Sequence, residues 1–125
     1  MKPFKYTQKS PEDCLSCCLA GILRLPQKEV PDFYPSGSDP EFWTKVRKFL
    51  KNYDFDLVIV KWSAIKKLPI KSVFIVSGVS PRNKKWHHAV LYTVNGLWHD
   101  PSATRKGLVG DPKYALMLIP FLDAK

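Results

Sequence analysis

The chain contains no long uninterrupted apolar segment, and this absence excludes a transmembrane helix, which needs about 20 consecutive apolar residues. Its first residues, MKPFKYTQKSPEDC, also lack the apolar stretch of a secretory signal peptide. We therefore expect a protein without membrane association and with a cytoplasmic location.

Cysteine is scarce, and its three occurrences, Cys14, Cys17 and Cys18, are confined to one short segment. A secreted disulfide-bonded protein usually spreads an even number of cysteines along its chain. This spacing therefore excludes a disulfide framework and favours a reducing compartment.

Acidic residues are also few. The chain has 11 aspartates and glutamates and 20 lysines and arginines, which gives a formal net charge of +9. The basic residues cluster at positions 45–51, 61–71 and 82–85. An acidic partner is possible, although a solvated surface is the simpler interpretation. Nucleic acid is an unlikely partner because no helix-turn-helix, RNA-binding or zinc-finger pattern accompanies the charge.

The composition is that of a globular protein, with 45% hydrophobic and 13% aromatic residues among 125. A chain of this length can bury an adequate core without metals or disulfides. No repeat or composition shift divides the sequence, so we expect a single domain over residues 1–125.

The first segment with helical spacing begins at Ser10-Pro11-Glu12-Asp13, where Ser10 can cap the helix and Pro11 fits its first turn. A cap at Asp13 is the alternative. We expect the helix to end near Leu23, before Pro26. Its apolar stripe is formed by Leu15, Cys18, Leu19, Ile22 and Leu23.

A loop rich in proline, glycine and serine is predicted from Pro26 to Pro40. A second helix then begins at Asp39-Pro40-Glu41 and ends near Asn52. Its apolar face is formed by Phe42, Trp43, Val46, Phe49 and Leu50.

After the second helix the apolar pattern changes to the alternation of strands. Strands are predicted at 56–62, 72–77, 88–94, 97–99 and 114–121. Helices followed by strands indicate an α+β fold in which N-terminal helices pack on a mostly antiparallel sheet.

Cys14 lies at the predicted start of the first helix, where the helix dipole and free N–H groups stabilise a thiolate, the reactive form of cysteine. Its backbone N–H and the side chain of Gln8 could hold an oxyanion. An isolated cysteine is more often a buried hydrophobic residue, which is the interpretation we favour for Cys17 and Cys18. Cys17 could alternatively be a resolving thiol or part of a C-x-x-C redox pair.

The later segment HHAVLYTVNGLWHDPS supplies the other groups of a cysteine-nucleophile site. His87 and His88 are consecutive and point to opposite faces of a strand, so only one can approach Cys14. We expect it to be His88, as general base, with Asp100 holding its imidazole.

The register of the hairpin determines whether His88 and Asp100 can meet. A plain two-residue loop at Asn95-Gly96 puts His88 on one face with His99 and sends Asp100 to the other. A shift of one residue puts His88 and Asp100 on the same face. We therefore predict a bulge, a longer turn or an early strand end.

The tight-turn register also suggests a rival site. Cys14, Cys17, His88 and His99 could be four zinc ligands, although the paired spacing of zinc-binding motifs is missing. We favour the catalytic interpretation and expect no metal or other cofactor.

At these residues the sequence resembles the papain-like cysteine peptidases, especially the branch that contains the double-glycine leader peptidases of bacteriocin exporters. In that branch a Gln precedes an Asp-Cys pair that opens a helix, and a later His-x-Val strand is followed by Asp-Pro. The matching positions are Gln8, Asp13-Cys14, His88-Ala89-Val90 and Asp100-Pro101. CCLAGILRLPQKEVPDF and HAVLYTVNGLWHDPS are also similar to small bacterial and phage members.

The resemblance implies a papain-like fold and a thiol hydrolase in which Cys14 is the nucleophile, His88 the base, Asp100 the orienting residue and Gln8 the oxyanion donor. Leu15 departs from the pattern, because the family usually has Gly after the nucleophile. The implied substrate is a peptide or protein whose peptide, isopeptide or side-chain amide bond is cleaved. Acyl transfer or deamidation at the same site, and a non-catalytic binding module, are the alternatives.

Overall fold

The structure is a computed structural model that describes residues 2–34 and 39–121. The helices are α1 (Cys14–Leu23), α2 (Asp39–Lys51) and α3 (Trp62–Ile65), with a 3₁₀ turn at Gln27–Glu29. The strands are β1 (Phe55–Lys61), β2 (Phe74–Val79), β3 (His87–Thr93), β4 (Gly96–His99) and β5 (Val109–Pro120). In these ranges no helix has both the length and the apolar character needed to cross a bilayer.

The strands form one sheet in the order β1-β5-β2-β3-β4, and every neighbouring pair is antiparallel. The prediction of an α+β fold with an antiparallel sheet is therefore confirmed. β5 lies between β1 and β2, so that these two successive strands are not hydrogen-bonded to each other. The sheet depends on a strand that comes much later in the sequence.

Helix α1 begins at Cys14 with Asp13 in the capping position, so the predicted start at Ser10 is wrong and the alternative is right. The Asp13 carboxylate accepts hydrogen bonds from the backbone N–H groups of Lys9 (3.1 Å) and Ser10 (3.3 Å). Because of these bonds, the residues before Cys14 form a non-helical turn instead of the first turn of the helix. Cys14 is consequently the first residue of the helix.

The predicted apolar stripe of α1 is too narrow, because every residue of the helix from Cys14 to Gly21 is buried. The helix packs on β3 and β2, and the N-terminal segment and the chain after the helix cover its remaining sides. Ser16 is accommodated there by donating a hydrogen bond to the carbonyl of Pro31 (2.6 Å). A helix that is apolar on all sides is a central core helix, which α1 is.

Helix α2 begins and ends close to the predicted positions and covers β1. Of its predicted apolar face, Phe42, Val46 and Leu50 are buried, whereas Trp43 and Phe49 are partly exposed. The loop predicted from Pro26 to Pro40 contains the 3₁₀ turn, and its positions 35–38 lie outside the described residues.

Helix α3 was not predicted, since Trp62 was expected to end a strand. Trp62 and Ile65 are three residues apart and both buried, which is the spacing of one helical turn. They pack on the face of the sheet opposite α1 and α2, against Phe74, Val76, Val90 and Ala115. The sheet is therefore covered on both faces.

The predicted strands shift by one or two residues, except β5, which begins at Val109 instead of Tyr114. The added residues, VGDPK, include types that are unfavourable in strands, and most are exposed. They extend the strand because Val109 pairs with Val79 beyond a shift in the register between β2 and β5, at which the extra unpaired residues belong to β5.

The β3–β4 hairpin contains the expected bulge. Its two-residue loop is Val94-Asn95, because Thr93 pairs with Gly96, rather than Asn95-Gly96. The pairing then shifts between Tyr92–Leu97 and Leu91–His99, which leaves one extra residue, Trp98, in β4. β4 ends at His99, so Asp100 follows the strand directly.

Candidate active site

Cys14 lies at the N-terminus of the central helix, with 7% of its surface exposed. As the first helical residue, it has a backbone N–H without an acceptor inside the helix. Its Sγ atom accepts a contact from the backbone N–H of Ala89 at 3.5 Å. The thiol is therefore held between a helix N-terminus and the beginning of β3, in a setting that favours negative charge.

His88, the second residue of β3, is 1% exposed, whereas His87 is exposed to solvent. Its Nε2–H group donates a hydrogen bond of 2.7 Å to Oδ1 of Asp100. The bulge in β4 and the early end of the strand let these two side chains meet, as the sequence predicts. Nδ1 is buried and makes no hydrogen bond to the described residues.

The pKa of His88 results from opposing effects. Burial alone lowers it, but the hydrogen bond with Asp100 and the neighbouring Cys14 outweigh burial and raise the pKa to about 9. Cys14 thus lies close enough to act on the ring, although the contact does not reach hydrogen-bond geometry. Such loose contacts are common in active sites that hold no substrate.

Asp100 is a fully buried carboxylate with three partners. Besides His88, the backbone N–H of Ser102 donates to Oδ1 (2.8 Å) and that of Gly107 to Oδ2 (2.7 Å). Burial raises the pKa of Asp100, but the three hydrogen bonds lower it by more than burial raises it. The pKa of Asp100 is therefore below its usual value. The carboxylate is therefore ionised and fixed in orientation.

The backbone around Asp100 was not predicted, although the sequence contains a signal for it. The bond to Ser102 N–H is that of an Asx turn, which is typical of Asp-Pro-Ser segments. Gly107 has a φ of 71°, in the left-handed region that glycine adopts easily. This conformation allows its N–H to point at the carboxylate.

Arg105 joins the Asp100 loop to the N-terminal segment. Its guanidinium donates to the carbonyls of Asp100 (2.7 Å) and Ser102 (3.1 Å) and to the hydroxyl of Thr7 (2.6 Å). The backbone N–H of Gln8 also donates to the carbonyl of Pro101 (2.8 Å). One hydrogen-bond network therefore connects the Asp100 loop to the N-terminal segment that contains Thr7 and Gln8.

Gln8 is part of that network, but its side chain is directed elsewhere. Nε2 donates one hydrogen bond to the carbonyl of Ser10 (2.9 Å), and Oε1 is buried without a partner among the described residues. Gln8 is not among the residues that line the cavity beside Cys14. Its role as an oxyanion donor stays a prediction, for which Nε2 has one hydrogen left.

The other two cysteines are buried, as predicted. Cys18 is a core residue that is 1% exposed, and Cys17 accepts a hydrogen bond from Nε2 of Gln27 (3.2 Å). Burial, with help from the nearby Asp13, raises the pKa of Cys17 to about 12. Cys17 is thus a protonated, poorly reactive thiol at neutral pH.

Cys14, Cys17, His88 and His99, the residues of the rival zinc site, do not form a metal-binding cluster. Nε2 of His99 lies 2.8 Å from the carbonyl oxygen of Tyr6, away from Cys14. Within residues 2–34 and 39–121, no three side chains of His, Cys, Asp or Glu are grouped as metal ligands. This geometry gives the zinc interpretation no support.

A cavity of about 610 Å³ lies next to the Cys14–His88 pair. Its lining is formed by the chain around the starts of α1 and α2, by the β2–β3 loop and by the sheet. Several lining side chains, among them Tyr34, Ile59 and Trp86, are about half exposed, so the cavity is open to solvent. Leu15, which replaces the usual glycine, is buried and contributes to the lining.

Comparison with known proteins adds no assignment: no protein-family model, curated protein or solved structure matches this chain.

Proposed function

We propose that the protein is a cysteine-nucleophile hydrolase of papain-like type that cleaves an amide bond in a peptide or protein. The observation that carries the proposal is the buried His88–Asp100 hydrogen bond of 2.7 Å beside a cysteine at a helix N-terminus. A structural role alone does not account for a buried, ionised carboxylate that fixes an imidazole next to a thiol.

The charge state of the pair follows from the pKa of His88. A pKa of about 9 keeps the imidazole protonated at neutral pH. In our proposal Cys14 reacts as the thiolate beside this imidazolium. The helix N-terminus and the N–H of Ala89 stabilise the thiolate, and Asp100 stabilises the imidazolium.

The reaction then has two steps. The thiolate attacks the carbonyl carbon, and His88 transfers its proton to the departing nitrogen as the carbon–nitrogen bond breaks. Neutral His88 next removes a proton from water, whose oxygen attacks the thioester and releases the acid and the Cys14 thiolate. The N–H of Cys14 is the proposed oxyanion donor, together with Gln8 if its side chain turns towards the cavity.

The papain-like assignment has two kinds of support in the chain itself. The order Gln8, Cys14, His88, Asp100 is that of the family, and a central helix that presents the cysteine packs on an antiparallel sheet that presents the histidine. We propose the same assignment for the fold, with the broad α+β class as its basis.

An electrophilic probe tests the proposed function without knowledge of the substrate. We expect a thiol-directed probe, such as a peptide vinyl sulfone or iodoacetamide, to modify Cys14 much faster than free cysteine at pH 7. Cys14→Ala should abolish the rapid labelling, and His88→Ala should slow it by about tenfold or more. The measurement is the second-order rate constant, with the modified residue identified by mass spectrometry.

Cys17→Ala is the matched control, because Cys17 is one helical turn away, buried and protonated. Its labelling should equal that of the unmodified protein. Rapid labelling at Cys17 instead of Cys14, or an unchanged rate in His88→Ala, contradicts the proposal.

A further inference from the structure

The cavity beside Cys14 is lined by charges of opposite sign, which come from two different parts of the chain. Arg82 and Lys85, in the β2–β3 loop, form what we call the basic wall. Glu12, just before α1, and Asp39, the first residue of α2, form the acidic wall. All four side chains are exposed.

The basic wall is held by a folded loop. The ends of the loop are joined by a hydrogen bond that the Ser80 N–H donates to the Trp86 carbonyl (3.0 Å). Within the loop, the Trp86 N–H donates to the Asn83 carbonyl (2.9 Å). The Ser80 hydroxyl accepts from Arg82 N–H (3.2 Å), and the Asn83 side chain accepts from Lys85 N–H (3.0 Å). The two cations are therefore presented from a backbone of defined shape, which lowers the ordering cost of binding.

The acidic wall is grouped around Tyr34. Burial, and after it the charges of Cys14, Asp39 and Glu12, raise the pKa of Tyr34. The Tyr34 ring packs on Phe42 with a centroid distance of 4.8 Å. The carboxylates thus act on a tyrosine that lines the same cavity as the candidate nucleophile.

The charges of both walls have no oppositely charged partner in the part of the chain that the structure describes. Among the described residues, no ion pair joins any of the four to an oppositely charged side chain. The lining also includes accessible apolar surface, with Trp86 51%, Ile59 47% and Tyr114 39% exposed. An open pocket with apolar surface and a few unpaired polar groups is typical of a ligand site.

We propose that the substrate is a polypeptide segment with an acidic residue that meets Arg82 and Lys85, a basic residue that meets Glu12 and Asp39, and an apolar residue between them. This inference rests on the proposed function, since the segment must bring its scissile bond to Cys14. The walls then fix the direction in which the segment lies, because the reverse orientation places like charges together.

Three tripeptide chloromethyl ketones test the inference. They share the sequence acetyl-Xaa-Leu-Gly and differ only in Xaa, which is Asp, Asn or Lys. The thiolate displaces chloride and forms a thioether on Cys14. Each rate constant is divided by the iodoacetamide rate of the same protein variant, which removes differences in thiol reactivity.

We expect one charged probe to react about threefold to tenfold faster than the other, as is typical of one or two exposed charge contacts. If the Asp probe is preferred, Arg82→Glu and Lys85→Glu should each reverse the preference. If the Lys probe is preferred, Glu12→Lys should reverse it. The preference should disappear at 1 M salt, where the Debye length is about 3 Å.

Matched controls are available on both sides. Lys84→Glu changes the same loop by the same charge, and Glu29→Lys adds the same charge near α1, yet neither residue lines the cavity. Both should leave the preference unchanged. Equal rates for the three probes, or equal effects of Arg82→Glu and Lys84→Glu, overturn the inference. Slow modification of Cys14 by iodoacetamide contradicts instead the proposed hydrolase.

Discussion

At the scale of single residues, the central question is where the proton between Cys14 and His88 resides. Asp100 and Cys14 together outweigh the burial of His88 and raise the pKa of the imidazole to about 9. In the mechanism that we propose, this imidazolium donates its proton to the leaving nitrogen, so His88 acts first as a general acid. The sequence-based assignment of His88 as the base that deprotonates Cys14 stays a prediction.

Two alkylating reagents of different charge test this arrangement. Iodoacetate is an anion and iodoacetamide is neutral, so a protonated His88 accelerates the reaction of Cys14 with iodoacetate selectively. We expect the ratio of the two rates to fall as the pH rises through about 9, where His88 loses its proton. Asp100→Asn should move this fall to lower pH, because the charged partner of the imidazolium is gone.

His88→Gln and His99→Gln provide the comparison for the reagent experiment. His88→Gln should give a low ratio without the transition near pH 9. His99→Gln should retain it, because His99 contacts the Tyr6 carbonyl rather than Cys14. A transition that persists in His88→Gln means that another group carries the charge.

At the scale of secondary structure elements, α1 lies between the sheet and the N-terminal segment. At Gly21 the N-terminal segment comes into direct backbone contact with the helix. Phe4 N–H donates to the Gly21 carbonyl at 3.0 Å, and a Cβ atom on Gly21 would overlap the carbonyl oxygen of Phe4. The N-terminal segment can approach this turn of the helix only because the side chain is missing.

Gly21→Ala separates this contact from helix propensity. Propensity alone predicts that alanine stabilises a helix interior by about 1 kcal/mol relative to glycine. We expect the opposite, a loss of about 1–3 kcal/mol in the free energy of unfolding, because the overlapping atom belongs to the backbone. Urea denaturation measures it, and an unchanged or higher stability shows that the N-terminal segment moves away freely.

The elements that could be predicted from the sequence are those governed by local pattern. The second helix and the five strands follow from apolar spacing, and the His88–Asp100 contact follows from the predicted bulge and early strand end in the hairpin. The start of α1 depended instead on whether Ser10 or Asp13 caps it, which a pattern of four polar and proline residues does not decide.

Other features depend on contacts that are distant in the sequence. The burial of the whole of α1 and the extension of β5 to Val109 are set by neighbouring segments rather than by their own composition. The cavity walls are of the same kind, since Glu12 and Arg82 reach a common space only in the folded chain. The sequence therefore predicted the residues of the candidate site, whereas their surroundings depend on the three-dimensional fold.

At the scale of the whole molecule, the candidate site links stability to pH. His88 has a folded-state pKa near 9, above its ordinary value of 6.5, so its contribution is complete below pH 6.5 and is lost as the pH rises towards 9. Asp100 has a lowered pKa, so its contribution is lost at acidic pH instead. Stability is therefore greatest between these two losses.

The free energy of unfolding should consequently decrease between about pH 7 and 9, the range in which His88 is protonated in the folded protein but not in the unfolded chain. His88→Gln should be less stable at pH 7 and should show a flatter profile over this range. The two proteins are compared only up to pH 9. Above this pH the raised pKa of Cys17, about 12, lowers the free energy of unfolding in both proteins. Equal slopes for both proteins contradict the assigned role of His88.

The position of β5 has a consequence for the order of events during synthesis. This strand follows Cys14, His88 and Asp100 in the sequence, yet it joins β1 to β2 in the centre of the sheet. Gly107, which holds the Asp100 carboxylate, also comes late. A growing chain on the ribosome thus contains Cys14, His88 and Asp100 before the sheet is complete, and in the proposed hydrolase the site assembles only after β5 has been synthesised.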